Sequence, residues 1–349
     1  MSNRIAMSQT SEAESNKALK PKKKRGFLSF GLKTFLILFC LSAIGINYWR
    51  HSVNQHQALK VLKNCGAEFI YEHEMTDDFD YLADPWNRID GDSSIRKSLR
   101  SVLGSSMVDR VACVRMIEKS NFAPIRPRSG KRKYHQSEAW IALRTLNQIN
   151  PLKAVAVEAN SEEQLEILSS FFQLRYLQLV SYKKNNLEVL ARLPNLESFE
   201  FATRSSDIDW IADLQKVKTL HVRKVLPAPR LTIDVSFLSA MPKLEQLEFR
   251  ALQLRSVEAI GSLENLKQLG LIHTDVESVA SVASPNIEVL HLTNSAIQDA
   301  GAILEMDSLK QVDLTGTLLQ EAQVDELMSA ARKNVGFVQT MPEGRPIED

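Results

Sequence analysis

One apolar pattern recurs over more than half of this 349-residue chain at a nearly constant interval. It consists of an apolar residue, two variable residues, a second apolar residue, one variable residue and a third apolar residue. The pattern begins at Leu152, Leu174, Leu196, Val217, Leu244, Leu266, Ile287 and Leu309, at intervals of 22, 22, 21, 27, 22, 21 and 22 residues. One such unit cannot bury its own apolar stripe, whereas stacked units can, so the spacing predicts a solenoid.

Each unit divides into a short strand and a return segment. Because side chains alternate along a strand, Leu174, Leu177 and Leu179 are expected to point into the solenoid, and the residues between them toward its concave face. The return segments keep apolar residues at three- or four-residue steps, which is typical of a short helix or helical turn. We therefore predict an α/β solenoid at 111–340, with a parallel sheet on the concave side and short helices or helical turns on the convex side.

The ends of the strands carry a family resemblance. The segments LTNSAI at 292–297 and DLTGTL at 313–318 are similar to the strand-to-turn consensus of the leucine-rich repeat family, in its short bacterial form of about 22 residues. The resemblance covers roughly residues 105–340. The segments KNCGA at 63–67 and LGSSMV at 103–108 resemble single-span repeat proteins of planctomycete-type bacteria, which implies an architecture and no activity.

The chain departs from that family at the turn after each strand. The family usually has Asn there, and its amide satisfies backbone groups inside the stack. This chain has Asn160, Tyr182, Arg204, Val225, Leu252, Thr274, Ser295 and Thr317. Ser and Thr can supply some of these hydrogen bonds, whereas Val225 and Leu252 cannot. These two flank the 27-residue unit, so we expect an irregular bulge there, either an insertion or a loop over the concave face.

The first 49 residues differ from the rest in charge. They hold eight Lys/Arg and two acidic residues, whereas the remainder holds 35 basic and 40 acidic residues. Residues 1–25 form a polar tail, expected to be disordered, that ends in the basic cluster PKKKR. Residues 26–49 are long and apolar enough for a transmembrane helix, with Lys33 near its start and Trp49 at the far interface.

Two alternatives compete with an uncleaved membrane anchor. A cleaved signal peptide lacks support because no small-x-small site follows the apolar run, and Cys40 lacks the preceding small residue of a lipoprotein site. The basic cluster also resembles a nuclear import signal, but beside an apolar span it is better explained as a positive-inside signal. We expect a single-pass membrane protein with a cytoplasmic N-terminus and its repeat domain outside the cytoplasm.

Residues 50–110 are expected to form a membrane-proximal α/β cap on the first repeat. Apolar positions predict helices at 50–65 and 94–103, an alternating strand at 67–73, and an acidic loop at 75–92. An irregular first strand follows at 111–116, then a basic loop at 120–136 that is solvated or contacts anionic lipid or an acidic partner. A helix is predicted at 137–149. At the other end we expect a helix at 321–333, a closing strand at 335–340 and a polar tail at 341–349.

The cysteines give no metal-ligand spacing. Cys65 and Cys113 each lie beside predicted secondary structure. Buried free thiols are the simpler interpretation, and a disulfide between these two residues is the alternative in an oxidising compartment.

Candidate functional residues come from the concave positions of the strands. The central position is Ala156, Gln178, Glu200, His221, Glu248, Gly270, His291 and Asp313. Because neighbouring strands lie ~4.8 Å apart, Glu200, His221 and Glu248 should form a row. Such a row could bind a metal or act as acid and base. An open sheet does not exclude water as that chemistry requires, so we assign no metal ligand, cofactor or catalytic residue.

We therefore predict a membrane-anchored leucine-rich repeat protein that binds a macromolecular partner through its concave sheet, without catalysis. The expected contact residues are Arg175, Tyr176, Gln178, Glu200, His221, Arg223, Glu248, Arg250, His291 and Asp313. Their mixed charge favours a protein partner over a nucleic acid. Two alternatives stay open: an envelope enzyme with a small membrane-proximal catalytic segment, and a structural spacer without a specific ligand.

Overall fold

The computed structural model describes residues 25–74, 109–117, 136–183, 186–225, 230–299 and 301–334. The chain divides into two compact units, Met1–Arg50 and His51–Asp349, and helix α1 (Arg25–Asn64) contributes residues to both. Several predicted segments lie outside the described residues: the polar tails, the acidic loop, the helix at 94–103, the basic loop before residue 136 and the strand at 335–340.

The repeat units build one ten-stranded sheet. Its strands are β1 (Glu68–Tyr71), β2 (Val111–Arg115), β3 (Ala154–Glu158), β4 (Tyr176–Ser181), β5 (Ser198–Thr203), β6 (Thr219–Lys224), β8 (Gln246–Arg250), β10 (Gln268–Ile272), β11 (Val289–His291) and β12 (Gln311–Asp313). They follow one another across the sheet in this order, and all pairs are parallel except the antiparallel pair β1–β2. One parallel strand per repeat, each beside the next, is the leucine-rich repeat solenoid that the sequence predicts.

Short helices connect the strands, and one follows the last described strand, as the apolar spacing predicts. They are α2 (Gln136–Ile149), α3 (Glu162–Ser169), α4 (Glu258–Gly261), α5 (Glu321–Asn334) and 3₁₀ helices at Leu187–Arg192, Asp209–Asp213, Ser236–Ala240, Val279–Ser281 and Gly301–Glu305. Short 3₁₀ helices of three to six residues suffice here because each return segment only has to place one apolar stripe on the stack. Helix α3 has a well-defined N-terminus, because Ser161 and Gln164 form a capping box there.

One hydrophobic core runs through the stack. Leu174, Leu177 and Leu179 are fully buried, as the alternation along the strand predicts. In the middle of the solenoid an aromatic cluster replaces leucines: the rings of Phe199 and Phe201 stack at 5.4 Å, and the ring of Trp210 meets each edge-on at 5.8 Å. Edge-to-face and offset arrangements of this kind add to the stabilisation that comes from burial alone.

The end of helix α1 belongs to this core. Leu62 is fully buried in the same cluster as Trp140 of α2. A buried polar network accompanies it: Gln55 Nε2 donates to the backbone carbonyl of Asp109 at 2.6 Å, and Asn150 Nδ2 donates to Gln55 Oε1. Since buried amides need such partners, the network favours one docked position for this part of the helix.

The N-terminal part of α1 has a different surface. Its large apolar side chains from Leu32 to Trp49 are exposed. Within the part of the chain that the structure describes, this is the one helix long and apolar enough to cross a membrane. A signal sequence near an N-terminus can be long and apolar enough to meet the same criteria.

Asparagine side chains link successive units at the turn before the strand. Asn195 Nδ2 donates to the carbonyl of Phe172, Asn265 Nδ2 to that of Pro242 and Asn286 Nδ2 to that of Glu264, at 2.8, 2.8 and 2.6 Å. Each bond joins one repeat to the preceding repeat. The sequence interpretation overlooked this ladder because it looked for Asn only after the strand.

The turn after the strand behaves in part as expected. Asn160 Oδ1 accepts the backbone N–H of Tyr182 in the next unit at 2.9 Å, which is the role of the family's Asn. Thr317 Oγ1 donates to the carbonyl of Leu314 at 2.9 Å. The hydroxyls of Thr274 and Ser295, however, are buried without a hydrogen-bond partner. Of these three hydroxyl side chains, only Thr317 therefore supplies such a hydrogen bond, in line with the expectation that Ser and Thr replace some of the bonds.

The long repeat contributes to a second sheet of two strands. Strand β7 (Thr232–Asp234) pairs in parallel with β9 (Gln253–Arg255), and Thr232 Oγ1 donates to Gln253 Oε1 at 3.0 Å. Val225 and Leu252 are both buried, so they pack where the family's Asn would form hydrogen bonds. The four residues at 226–229, two of them prolines, lie outside the described residues.

All three cysteines are free. Cys113 is fully buried, and this burial raises the pKa of its thiol to about 12. Burial, and then the charge of Glu138, also raise the pKa of the half-buried Cys65. Both thiols are thus free, as interpreted from the sequence, but only Cys113 is buried and Cys65 is half-buried.

Candidate functional site

Three rows of side chains line the concave face, and the strand register defines them. The central row is Arg115, Ala156, Gln178, Glu200, His221, Glu248, Gly270, His291 and Asp313. The row toward the strand starts is Cys113, Ala154, Tyr176, Ser198, Thr219, Gln246, Gln268, Val289 and Gln311, and the row toward the strand ends is Glu158, Val180, Ala202, Arg223, Arg250 and Ile272. The predicted order along the central row is confirmed.

The concave face changes character along the sheet. Over β3 to β5 it is mainly apolar and buried, and two clusters apart from the main core account for it. They are Ile70, Ala112, Cys113, Ala154 and Tyr176, and Ile117, Ala156, Val180, Ala202 and Val225. From β6 onward the face carries mainly half-buried or exposed side chains, such as His221, Arg250 and Gln268. We call the concave residues of β6, β8, β10, β11 and β12 the open half.

Two of the predicted contact residues therefore do not offer a surface. Tyr176 and Gln178 are each 3% exposed, because both lie in the buried part of the face. Each of them instead donates one hydrogen bond to Glu200. Tyr176 Oη donates to one oxygen of that carboxylate, and Gln178 Nε2 donates to the other at 3.0 Å. Their place in the structure is to position Glu200, at the boundary of the open half.

Arg223 lies across the same boundary. It stands on β6, in register with Ala202 on one side and Arg250 on the other. Burial lowers the pKa of Arg223 to about 10, while the charge of Glu200 opposes this shift and that of Arg250 adds to it. The guanidinium is still protonated at neutral pH, so the open half begins with a half-buried cation.

Glu248 and Arg250 form the centre of the open half. Arg250 Nε and Nη2 lie 3.1 and 3.0 Å from the same oxygen of Glu248. The carboxylate leans over Gly270 on the next strand, where an added Cβ would lie 2.9 Å from Glu248 Cγ. A side chain at position 270 would have to displace Glu248, so Gly270 leaves room for the ion pair.

His291 and Asp313 end the central row. Asp313 accepts hydrogen bonds from Thr293 Oγ1 and from the backbone N–H of Thr315, each at 2.9 Å. Burial raises the pKa of Asp313, but the hydrogen bonds from Thr315 and Thr293 and the charge of His291 outweigh it, so the pKa is lowered overall. The carboxylate is accordingly held as an anion beside the imidazole.

The row does not assemble a metal centre. In the ranges that the structure describes, no group of three or more His, Cys, Asp or Glu side chains is placed to hold a metal ion. His221 and His291 lie three strands apart, ~14 Å at the usual strand spacing. The carboxylates Glu200, Glu248 and Asp313 are instead engaged by hydrogen-bond donors of the protein.

Arg175 belongs to a charge ladder that precedes the strands. The residue after the first apolar position alternates in sign along seven units: Arg175, Glu197, Lys218, Glu245, Lys267, Glu288 and Lys310. Ion pairs join Arg175 to Glu197 at 2.6 Å, Glu245 to Lys218 and Lys267 at 3.6 and 3.3 Å, and Lys310 to Glu288 at 2.6 Å. The alternation is visible in the sequence, but the sequence analysis compared the units only at the central concave position and at the turn after the strand. Exposed ion pairs of this kind each contribute little to the stability of the fold. The pair with Glu197 nevertheless gives Arg175 a partner within the protein.

Neither a protein-family model nor a curated protein sequence matches the chain. Solved structures do match. An internalin of Listeria monocytogenes (strain 4b F2365) is 15% identical with a TM-score of 0.43, covering 59% of this chain and 60% of that chain. Internalin C2 of the same strain is 19% identical with a TM-score of 0.41, covering 58% and 84%. A leucine-rich repeat protein of Leptospira interrogans is 14% identical with a TM-score of 0.37, covering 56% and 50%. The chain thus spans 60% of the first of these proteins, and the likeness carries no argument about partner or activity.

Proposed function

We propose that the repeat domain binds a protein partner through the open half of its concave sheet and performs no catalysis. The observation that carries the proposal is the change from a buried to an accessible face at β6. A sheet that served only to complete the solenoid would not need this change, because its concave face could be apolar or polar throughout. Here the accessible strands present His221, Arg223, Glu248, Arg250, His291 and Asp313 on one continuous surface.

The charge pattern supports a protein partner. Acidic and basic side chains alternate within a few ångströms, as the Glu248–Arg250 pair shows. Mixed patterns of this kind give specificity toward a partner with its own mixed pattern. A nucleic acid presents repeating negative charge, which the carboxylates Glu248 and Asp313 would repel.

Site-specific photocrosslinking in cells tests this function. A photoreactive amino acid at Gln268 or His291, on the open half, is expected to give a discrete crosslinked adduct. The matched controls are Ser239 and Glu258, which are exposed in the return segments. Equal adducts from both faces would contradict the proposal, and no adduct from either face would favour a structural spacer.

The membrane association is a second part of the proposal. We infer that residues 26–49 cross the membrane once as an uncleaved signal-anchor, with the basic cluster at 21–25 on the cytoplasmic side. The exposed apolar side chains from Leu32 to Trp49 support it, because water tolerates such a continuous apolar surface poorly. We also propose that the repeats are of the short bacterial type and that the chain resembles single-span repeat proteins of planctomycete-type bacteria.

Protease accessibility tests this topology. The repeat domain is expected to resist added protease in intact cells and to become sensitive once the outer envelope is opened. Sensitivity only after the inner membrane is breached would place the repeats in the cytoplasm and reverse the assigned orientation. As a control, a variant with the four Lys/Arg at 22–25 changed to Gln should lose the single orientation.

A further inference from the structure

Two hydroxyl groups inside the stack are buried without a hydrogen-bond partner from the protein. Thr274 is 6% exposed and Ser295 is 3% exposed, and neither Thr274 Oγ1 nor Ser295 Oγ forms a hydrogen bond within the chain. Both residues occupy the turn after a strand, where the family usually has Asn. The large majority of buried hydroxyls are hydrogen-bonded, because an unpaired one gives up its bonds to water without replacement. A partner is therefore expected at this place.

The two hydroxyls lie at the same position of neighbouring units, which pair in register across β10 and β11. Before this position, the N–H of His273 donates to the carbonyl of Thr293 at 2.9 Å. After it, the N–H of Ala296 donates to the carbonyl of Thr274 at 3.1 Å. These bonds keep the two turns as close as neighbouring strands, which lie ~4.8 Å apart.

Thr317, at the same position of the following unit, shows how a hydroxyl is satisfied within one unit. Its Oγ1 donates to the carbonyl of Leu314 at 2.9 Å. Ser295 makes no such side-chain bond, although its backbone N–H donates to the corresponding carbonyl of Leu292 at 3.0 Å. The hydroxyls of Thr274 and Ser295 are therefore not satisfied by their own units.

A water molecule between the two hydroxyls fits this spacing. Two O–H···O hydrogen bonds of about 2.8 Å that meet at one water at a tetrahedral angle join oxygens about 4.6 Å apart. An amide, by contrast, reaches the next unit directly, as Asn160 Oδ1 does where it accepts the N–H of Tyr182. Serine and threonine have shorter polar groups than asparagine, so a hydroxyl needs a bridge to make the same connection.

We propose that one water molecule is bound inside the stack between Thr274 Oγ1 and Ser295 Oγ, and that it links the two units in place of an asparagine side chain. Buried waters typically make about three hydrogen bonds, and the hydroxyls supply two of them. The site lies inside the solenoid and not on its concave surface, so it is independent of the partner binding proposed above.

Replacing Thr274 by Val tests the bound water, because valine has the shape of threonine without its hydroxyl. If water bonds to that hydroxyl, the unfolding equilibrium constant of the full chain in detergent micelles should rise about 2- to 10-fold. A hydroxyl without any partner would give the opposite sign, since its apolar replacement lowers this constant, and that result would overturn the proposal. Thr317→Val is the matched control and should raise the constant, because it removes a hydroxyl whose acceptor is known.

A crystal structure of the full chain in detergent, at a resolution that shows ordered water, identifies the partner directly. One density peak is expected within about 3.2 Å of both hydroxyl oxygens. The peak should disappear in the Thr274→Asn variant, where the amide takes its place. Hydroxyls bonded directly to backbone carbonyls, or a peak that contacts only one of them, would overturn the bridge.

Discussion

Replacing Phe201 by Ala is expected to lower the free energy of unfolding of the repeat domain by about 3–5 kcal/mol. Phe201 is fully buried, stacks on Phe199 at 5.4 Å and meets Trp210 edge-on at 5.8 Å. Truncation removes the ring and leaves a cavity between two other rings, which cannot close it because strands on both sides fix the backbone. Chemical denaturation of the full chain in detergent micelles, followed by circular dichroism, measures the change.

Phe172→Ala is the matched control. This phenylalanine is 55% exposed, and the turn hydrogen bond at its position uses the backbone carbonyl, which the substitution keeps. The expected change is within about 0.5 kcal/mol. Equal losses in the two variants would mean that the aromatic cluster at Phe199, Phe201 and Trp210 is not a packed part of the core.

Replacing Leu62 by Asp is expected to cost more than about 4 kcal/mol, enough to unfold the first repeats. Leu62 is fully buried in the cluster that includes Trp140 and Leu143, so the substitution places an unpaired carboxylate among apolar side chains. Because a solenoid depends on its terminal unit to cover the core, the damage should spread from β2 into the neighbouring strands. Hydrogen exchange resolved along the chain, compared with the parent protein, measures this spread.

Gln57→Asp introduces the same residue at an exposed position of the same helix. It should leave the exchange pattern of β2 and β3 unchanged, since the carboxylate remains in water. If Leu62→Asp were as mild as this control, the end of α1 would not be part of the cap. The result therefore tests whether the solenoid begins in the helix that follows the apolar segment.

The predicted concave row agreed with the structure because the same strand pattern occurs once in every repeat and sets the register, even across the 27-residue unit. Strands that start at the same point of successive units must pair in parallel at matching positions, so Glu200, His221 and Glu248 had to be neighbours. The two-stranded sheet of β7 and β9 could not be predicted from the common strand pattern. It arises where the repeat is 27 residues long and the common period no longer applies.

Two ladders were visible in the sequence but went unrecognised. The alternating charges from Arg175 to Lys310 and the asparagines at 195, 265 and 286 each occur at one fixed position of the repeat. Both positions precede the strand, outside the strand-to-turn segments on which the family resemblance rests. The side chains of each ladder contact one another because a solenoid brings the same position of adjacent units close together.

The sequence by itself determined the solenoid, the strand order and the identity of the concave side chains, because all three follow from a local period and its repetition. Only the tertiary structure decided which of those side chains are accessible. Tyr176 and Arg250 occupy concave positions of similar units, yet one is 3% exposed and the other is open to solvent. Burial depends on what residues distant in the chain place around a side chain, such as the cluster of Tyr176 with Ile70 and Cys113, and no repeat period encodes that environment.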